Sequence, residues 1–199
     1  RMERLILARH GESQYSARGL VNGDAAVPVG LTEAGEEQAR RLGELLENEP
    51  LDLCVTSQLA RTRLTAKLAL AGRDLPVEAW GDLDDPRAGA FEGLHLDEYR
   101  AWAWTSGSGV DAPGGGESRL TTVARYVRGF RALLERPEPA ILAVLHALPI
   151  AYLLGALQGE APAARMDRPV AYAHPYPVSA AELEPALGVL EVWIRQPTW

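Results

Sequence analysis

The apolar residues of this chain fall into two patterns. Leu5-Ile6-Leu7-Ala8 and Ala140 to Leu145 are unbroken apolar runs, the pattern of strands covered on both faces. Asp52 to Thr56 predicts a further strand, and Leu75 to Trp80, bounded by Pro76 and Gly81, a shorter one. Between these runs the apolar positions recur at helical spacing. Thr32 opens one helix, with Ala39, Leu42, Leu45 and Leu46 on a common face. Ser57 is an expected N-cap for a second, running through Leu59, Leu64, Leu68 and Leu70. A long helix is expected from about Glu117 to Glu135 and another from Pro149 to about Gln158. Gly81 to Gly93 looks like a carboxylate-rich loop, and a short helix is expected to carry Tyr99, Trp102 and Trp104. Val178 to Leu183 and Val189 to Ile194 predict a terminal hairpin. Alternation of strand and helix predicts a single layered α/β domain over residues 1–199 with a mostly parallel sheet.

Composition narrows the partners. The chain has 199 residues and a formal net charge of −7, which argues against nucleic acid or an anionic membrane as its partner. No run reaches the apolar length of a membrane span, and the first residues lack a signal-peptide pattern, so a cytoplasmic protein is expected. Cys54 is the one cysteine and sits in an apolar stretch, as a small buried hydrophobe would. Oligomeric state is not legible.

Chemistry collects where strands end. His10 and His146 each directly follow an apolar run, and ligands of open α/β sheets bind at the carboxyl ends of strands. Arg9 adjoins His10, and Arg61 lies just after a third strand. Two imidazoles and two guanidinium groups suit a phosphoryl group: arginine matches its oxygens bidentately, and neutral imidazole can attack phosphorus. His95 and His174 are read as ordinary surface or turn residues. Gly114-Gly115-Gly116 lacks the Lys-Ser/Thr of a P-loop and reads as a turn before a helix capped near Ser118.

The residues around these positions resemble the histidine phosphatase (phosphoglycerate mutase-like) superfamily. Arg9-His10-Gly11-Glu12-Ser13 is similar to its Arg-His-Gly-Glu signature. Leu31-Thr32-Glu33-Ala34-Gly35 with Gln38-Ala39, Ser57 to Ala66, Gly89 to Gly93, Pro113 to Ser118 and Val144-Leu145-His146 are similar to five further motifs in the same order. The resemblance implies a three-layer α/β/α fold with His10 as a nucleophile that becomes a transient phosphohistidine. Arg9, Arg61, His10 and His146 would line the phosphate pocket. It implies no metal and no cofactor, and a small phosphorylated substrate.

In the position where the family carries a glutamate acid, this chain has Asp85, with Asp84 and Glu92 as alternatives. Neighbouring carboxylates are expected to favour the protonated form of such an acid. Ser16, Asn22 and Gly23 are the expected substrate-side residues; Ser16 stands where the family often has Asn, Leu20 where an Arg is common, and Ala147-Leu148 where Gly-Gly follows the second histidine. Glu12 either holds the loop or serves the pocket, the pocket role being slightly favoured, and Trp102 and Trp104 either face the substrate or pack the segment. Only Leu94 to Ala112 separates two motifs that a longer insertion divides in the mutases, so the resemblance favours a phosphomonoesterase over a phosphoglycerate mutase-type phosphotransferase. A catalytically silent phospho-ligand or protein-binding relative is the third reading.

Overall fold

Strand β1 (Arg4–Arg9) belongs to a five-stranded sheet, flanked by the central strand β4 (Ala140–Leu145) on one side and the edge strand β5 (Pro175–Ser179) on the other. With β2 (Leu53–Thr56) and β3 (Val77–Ala79) the order is β3-β2-β4-β1-β5 in a computed structural model that describes residues 1–199. All pairings are parallel except β1 with β5. The register sets Arg9 opposite Leu145, so His10 and His146 leave the sheet side by side.

The unbroken apolar runs follow from two covered faces. Leu5 and Leu7 of β1 and Ile141, Ala143 and Leu145 of β4 point into one core; Ile6, Ala8, Leu142 and Val144 point into the other. The first core is covered by α5 (Arg119–Leu134), α6 (Ala147–Leu157) and α7 (Ala180–Arg195). The second lies under α2 (Glu33–Leu45) and α3 (Ala60–Ala69). Each fully buried Leu, Ile or Val contributes on the order of 1.5–3 kcal/mol, so the central strands anchor the layers. The short helices α1 (Gln14–Arg18) and α4 (Leu96–Ala103) stand outside these layers, and no helix is long and apolar enough to cross a membrane.

Capping sets the helix starts. The Thr32 hydroxyl accepts the Gly35 N–H and the Ser118 hydroxyl accepts the Thr121 N–H. The expected terminal hairpin is absent. Of its first half only Val178 and Ser179 are extended, at the end of β5, and residues 180–195 form α7. A capping box between Ser179 and Glu182 starts that helix, and its buried Leu183, Ala186, Leu187, Leu190 and Trp193 repeat at helical spacing. Local β-branched residues at its far end lost to this face. Ser57 is also not an N-cap: α3 begins after Leu59 with no side-chain cap, and the Ser57 hydroxyl serves the site described next.

Candidate active site

The loop after β1 is pinned from several directions. The Gly11 N–H donates to the Thr65 hydroxyl on α3 (3.0 Å), and a Cβ at Gly11 would stand 2.3 Å from the Gly35 carbonyl oxygen on α2. Only glycine allows this close approach of loop and helix. Glu12 does not line the cavity; its carboxylate accepts the Thr32 hydroxyl at 2.8 Å and fastens the loop to the start of α2.

So held, His10 is buried, and its Nδ1 lies 2.7 Å from the Gly11 carbonyl oxygen. A carbonyl can only accept, so Nδ1 carries the hydrogen and Nε2 keeps the free lone pair. The His10 pKa is pushed well below the ordinary histidine value, first by burial, then by Arg61, His146 and Arg9. The positive surroundings expected from the sequence are present, but loss of solvent is the larger cause.

His146 is fully buried, its ring centroid 5.3 Å from that of His10. It caps the start of α6 by position and does not itself line the cavity. Nε2 lies 2.7 Å from the Ser57 hydroxyl, which in turn meets the Thr62 hydroxyl at 2.8 Å. Nδ1 stands 3.2 Å from an Asp85 oxygen, out of line for a hydrogen bond. Burial, then Arg61, Arg9 and Arg125, lower its pKa as well.

Two arginines complete the floor. Arg61, buried on α3, donates to the Asn22 side-chain oxygen (2.8 Å), the Asn22 carbonyl (2.9 Å) and the Asp85 carboxylate (2.7 Å). Arg9 donates to the Val170 carbonyl at 2.9 Å and lies 4.1 Å from the centre of the Tyr172 ring. Tyr172 also stands 5.9 Å from the His10 ring. It comes from a loop that no motif marks.

These groups open into a cavity of about 660 Å³. Ser16, Asn22 and Gly23 line it, but the polar groups of the last two are turned elsewhere: Asn22 holds Arg61, and the Gly23 N–H donates to Glu92 at 2.8 Å. The three acid candidates separate. Asp85 lines the cavity; Asp84 is buried and accepts the Gln58 N–H at 2.7 Å; Glu92 accepts the N–H groups of Gly23 and Asp24 and the Asn22 amide. Of the neighbouring aspartates, Asp82 faces Arg128 at the surface. Asp85 is placed instead by a buried ion pair. Arg125 donates to Glu117 at 2.7 and 2.9 Å and to the carbonyls of Asp82, Asp84 and Asp85, while Glu117 accepts the Arg87 N–H. This clamp explains why a Gly-Glu-Ser stretch belongs to the site although Glu117 never reaches the cavity.

The outer wall differs. Trp102 packs against Phe91 and Tyr99, whereas Trp104, half exposed, lines the cavity. His95 caps α4 from the surface, and His174 meets Tyr176 edge-to-face. Cys54 is buried, its thiol pushed up to about 12 by burial.

Two imidazoles between two guanidinium groups at parallel strand ends define an α/β pocket suited to a phosphoryl group. The chain belongs to the histidine phosphatase superfamily (branch 1), whose family model matches residues 5–193. It is 36% identical over 133 residues to an adenosylcobalamin/alpha-ribazole phosphatase of Salmonella typhimurium, a match covering 62% of this chain and 65% of that protein. It is 39% identical over 139 residues to a 2,3-bisphosphoglycerate-dependent phosphoglycerate mutase of a Methylobacterium species, covering 63% and 65%. The structure of the alpha-ribazole phosphatase from Shigella flexneri superposes with a TM-score of 0.75 at 32% identity, covering 87% of this chain and 89% of that one.

Proposed function

We propose that the protein is a metal-independent phosphomonoesterase acting on a small phosphorylated metabolite through a phosphohistidine at His10. The observation that carries this reading is the His10 ring itself: Nδ1–H is spent on the Gly11 carbonyl, the ring is held neutral, and Nε2 is left free beside Arg9 and Arg61. The alpha-ribazole phosphatases among its relatives support hydrolysis as the outcome.

In the first step Nε2 attacks phosphorus and the bond to the leaving oxygen breaks. Arg9 and Arg61 balance charge on the transferring group, with His146 beside them. The leaving oxygen takes a proton from Asp85, the one acid candidate that lines the cavity. Asp85 pairs with Arg61 at 2.7 Å, and a bound phosphate dianion would compete with it for that guanidinium. In the second step water attacks the phosphohistidine, its proton passes to Asp85, the N–P bond breaks and phosphate leaves.

The test is turnover of para-nitrophenyl phosphate with and without a chelator, together with acid-labile phosphoenzyme. Chelator-insensitive turnover and labelling at His10 support the reading; loss of turnover on chelation, or normal labelling of His10→Ala, overturns it. The phosphoglycerate mutases among the relatives carry the second reading, in which a second hydroxyl replaces water as the acceptor. Phosphoryl transfer to phosphoglycerate faster than hydrolysis would decide for it.

A further inference from the structure

Beyond the phosphate end, the cavity is lined by three more arginines, Arg100, Arg119 and Arg165, and by a single further carboxylate, Asp167. This is a cationic wall in a chain of net charge −7. Arg165 lies 3.6 Å from Asp167, with 4.6 Å to the centre of the Trp104 ring. Arg100 stands 5.9 Å from that ring.

Arg119 is different. It is the first residue of α5, only partly exposed, and no carboxylate pairs with it. One terminal nitrogen donates to the Tyr152 hydroxyl at 2.8 Å and the other to the Tyr99 hydroxyl at 3.4 Å, while Nε is buried without a partner. Burial raises the Tyr152 pKa, so this phenol accepts as a neutral group. Neutral hydroxyls satisfy N–H groups but cancel no charge, and a desolvated guanidinium without an anion is costly. A side chain needed only to tie α4, α5 and α6 together has no use for that charge. The uncancelled charge of a guanidinium that lines the cavity is what a carboxylate or phosphate would complete.

We propose that Arg119 holds a second anionic group, a carboxylate or a second phosphate, on the leaving-group side of the substrate. The proposal rests on the phosphatase reading in placing the scissile phosphate at His10. Tyr99 and Tyr152 orient the guanidinium, and Arg100 and Arg165 add positive potential at the mouth. Phosphorylated acids and bisphosphates are therefore favoured over neutral sugar or alcohol phosphates.

The experiment compares matched pairs: 3-phosphoglycerate with glycerol 3-phosphate, and fructose 1,6-bisphosphate with fructose 6-phosphate. In the wild type the anionic member of at least one pair is expected to show a kcat/KM roughly ten- to a hundredfold higher, the effect of one charge-assisted contact. The pair that responds tells carboxylate from phosphate. Arg119→Gln should erase the preference by raising KM for the anionic member far more than for the neutral one, and Arg119→Lys should restore part of it. Equal use of both members by the wild type, or an equal loss on both in Arg119→Gln, overturns the proposal and marks Arg119 as structural. The same four compounds are titrated calorimetrically into His10→Ala. Anion-selective binding there, abolished by the added Arg119→Gln, upholds the second site even if no compound is hydrolysed. Absence of selectivity in both turnover and binding refutes it whatever the fate of the phosphatase reading.

Discussion

The floor of the cavity and its outer wall are built by opposite rules. On the floor His10 and Arg61, with His146 behind them, are buried, and their polar atoms are held by Gly11, Ser57, Asn22 and Asp85. In the wall Trp104 is half exposed, Arg165 lies mostly in solvent, and the contacts are stacking over a ring. The floor is preorganised, so its chemistry tolerates little change. The wall is adaptable, as suits a surface that would select among substrates under the proposed reading.

The sharpest break of this contrast is His10→Ala, which removes the proposed nucleophile from a fixed floor. Turnover is expected to fall by roughly three powers of ten or more, with no phosphoenzyme. Radiolabelling after an acid-avoiding quench checks both. Next comes Asp85→Asn, expected to slow alkyl phosphates by about two to four powers of ten. It should slow para-nitrophenyl phosphate far less, because that leaving group departs as an anion. If Asp84→Asn or Glu92→Gln shows the selective loss instead, the acid is reassigned.

Breaking the clamp behind the floor tests whether rigidity there is structural. Glu117→Gln leaves Arg125 buried without its anion and is expected to destabilise the fold by about 3–5 kcal/mol, read from denaturant unfolding. A change within experimental error would show the pair to be dispensable.

Acid probes the same burial. His10 and His146 have folded-state pKa values pushed below the ordinary one, so the unfolded chain binds their protons first as pH falls. Their contribution is complete above the unfolded value of about 6.5 and declines below it by up to about 1.4 kcal/mol per pH unit for each histidine. Melting temperatures between pH 7 and 5 should fall more steeply in the wild type than in His146→Gln. Parallel curves would contradict the assignment. The smallest effect belongs to the wall: Trp104→Ala should raise KM for bulky alkyl phosphates severalfold while leaving kcat on para-nitrophenyl phosphate unchanged. A large fall in that kcat would join wall to floor.

The motifs were legible because each is a short piece of chain under a local constraint. Arg9-His10-Gly11 needs a strand end and a glycine where α2 approaches, and Thr32 and Ser118 cap helices from their own neighbourhoods. The final helix was also written locally, in the Ser179–Glu182 box and the Leu183 to Trp193 spacing, but a β-branched stretch obscured it.

By itself, then, the sequence determined the layered α/β class, the strand-end histidines and arginines, and Asp85 as a candidate acid. Tertiary structure alone decided which polar atoms meet. It turned Ser57 from a helix cap into the partner of His146, gave Glu12 to Thr32, and set Tyr172 against Arg9. It also left Arg119 at the cavity with two phenols and no anion. Such pairings join residues tens of positions apart, through parallel register and helix packing. No local propensity encodes them, because their energy arises only once both partners are withdrawn from water.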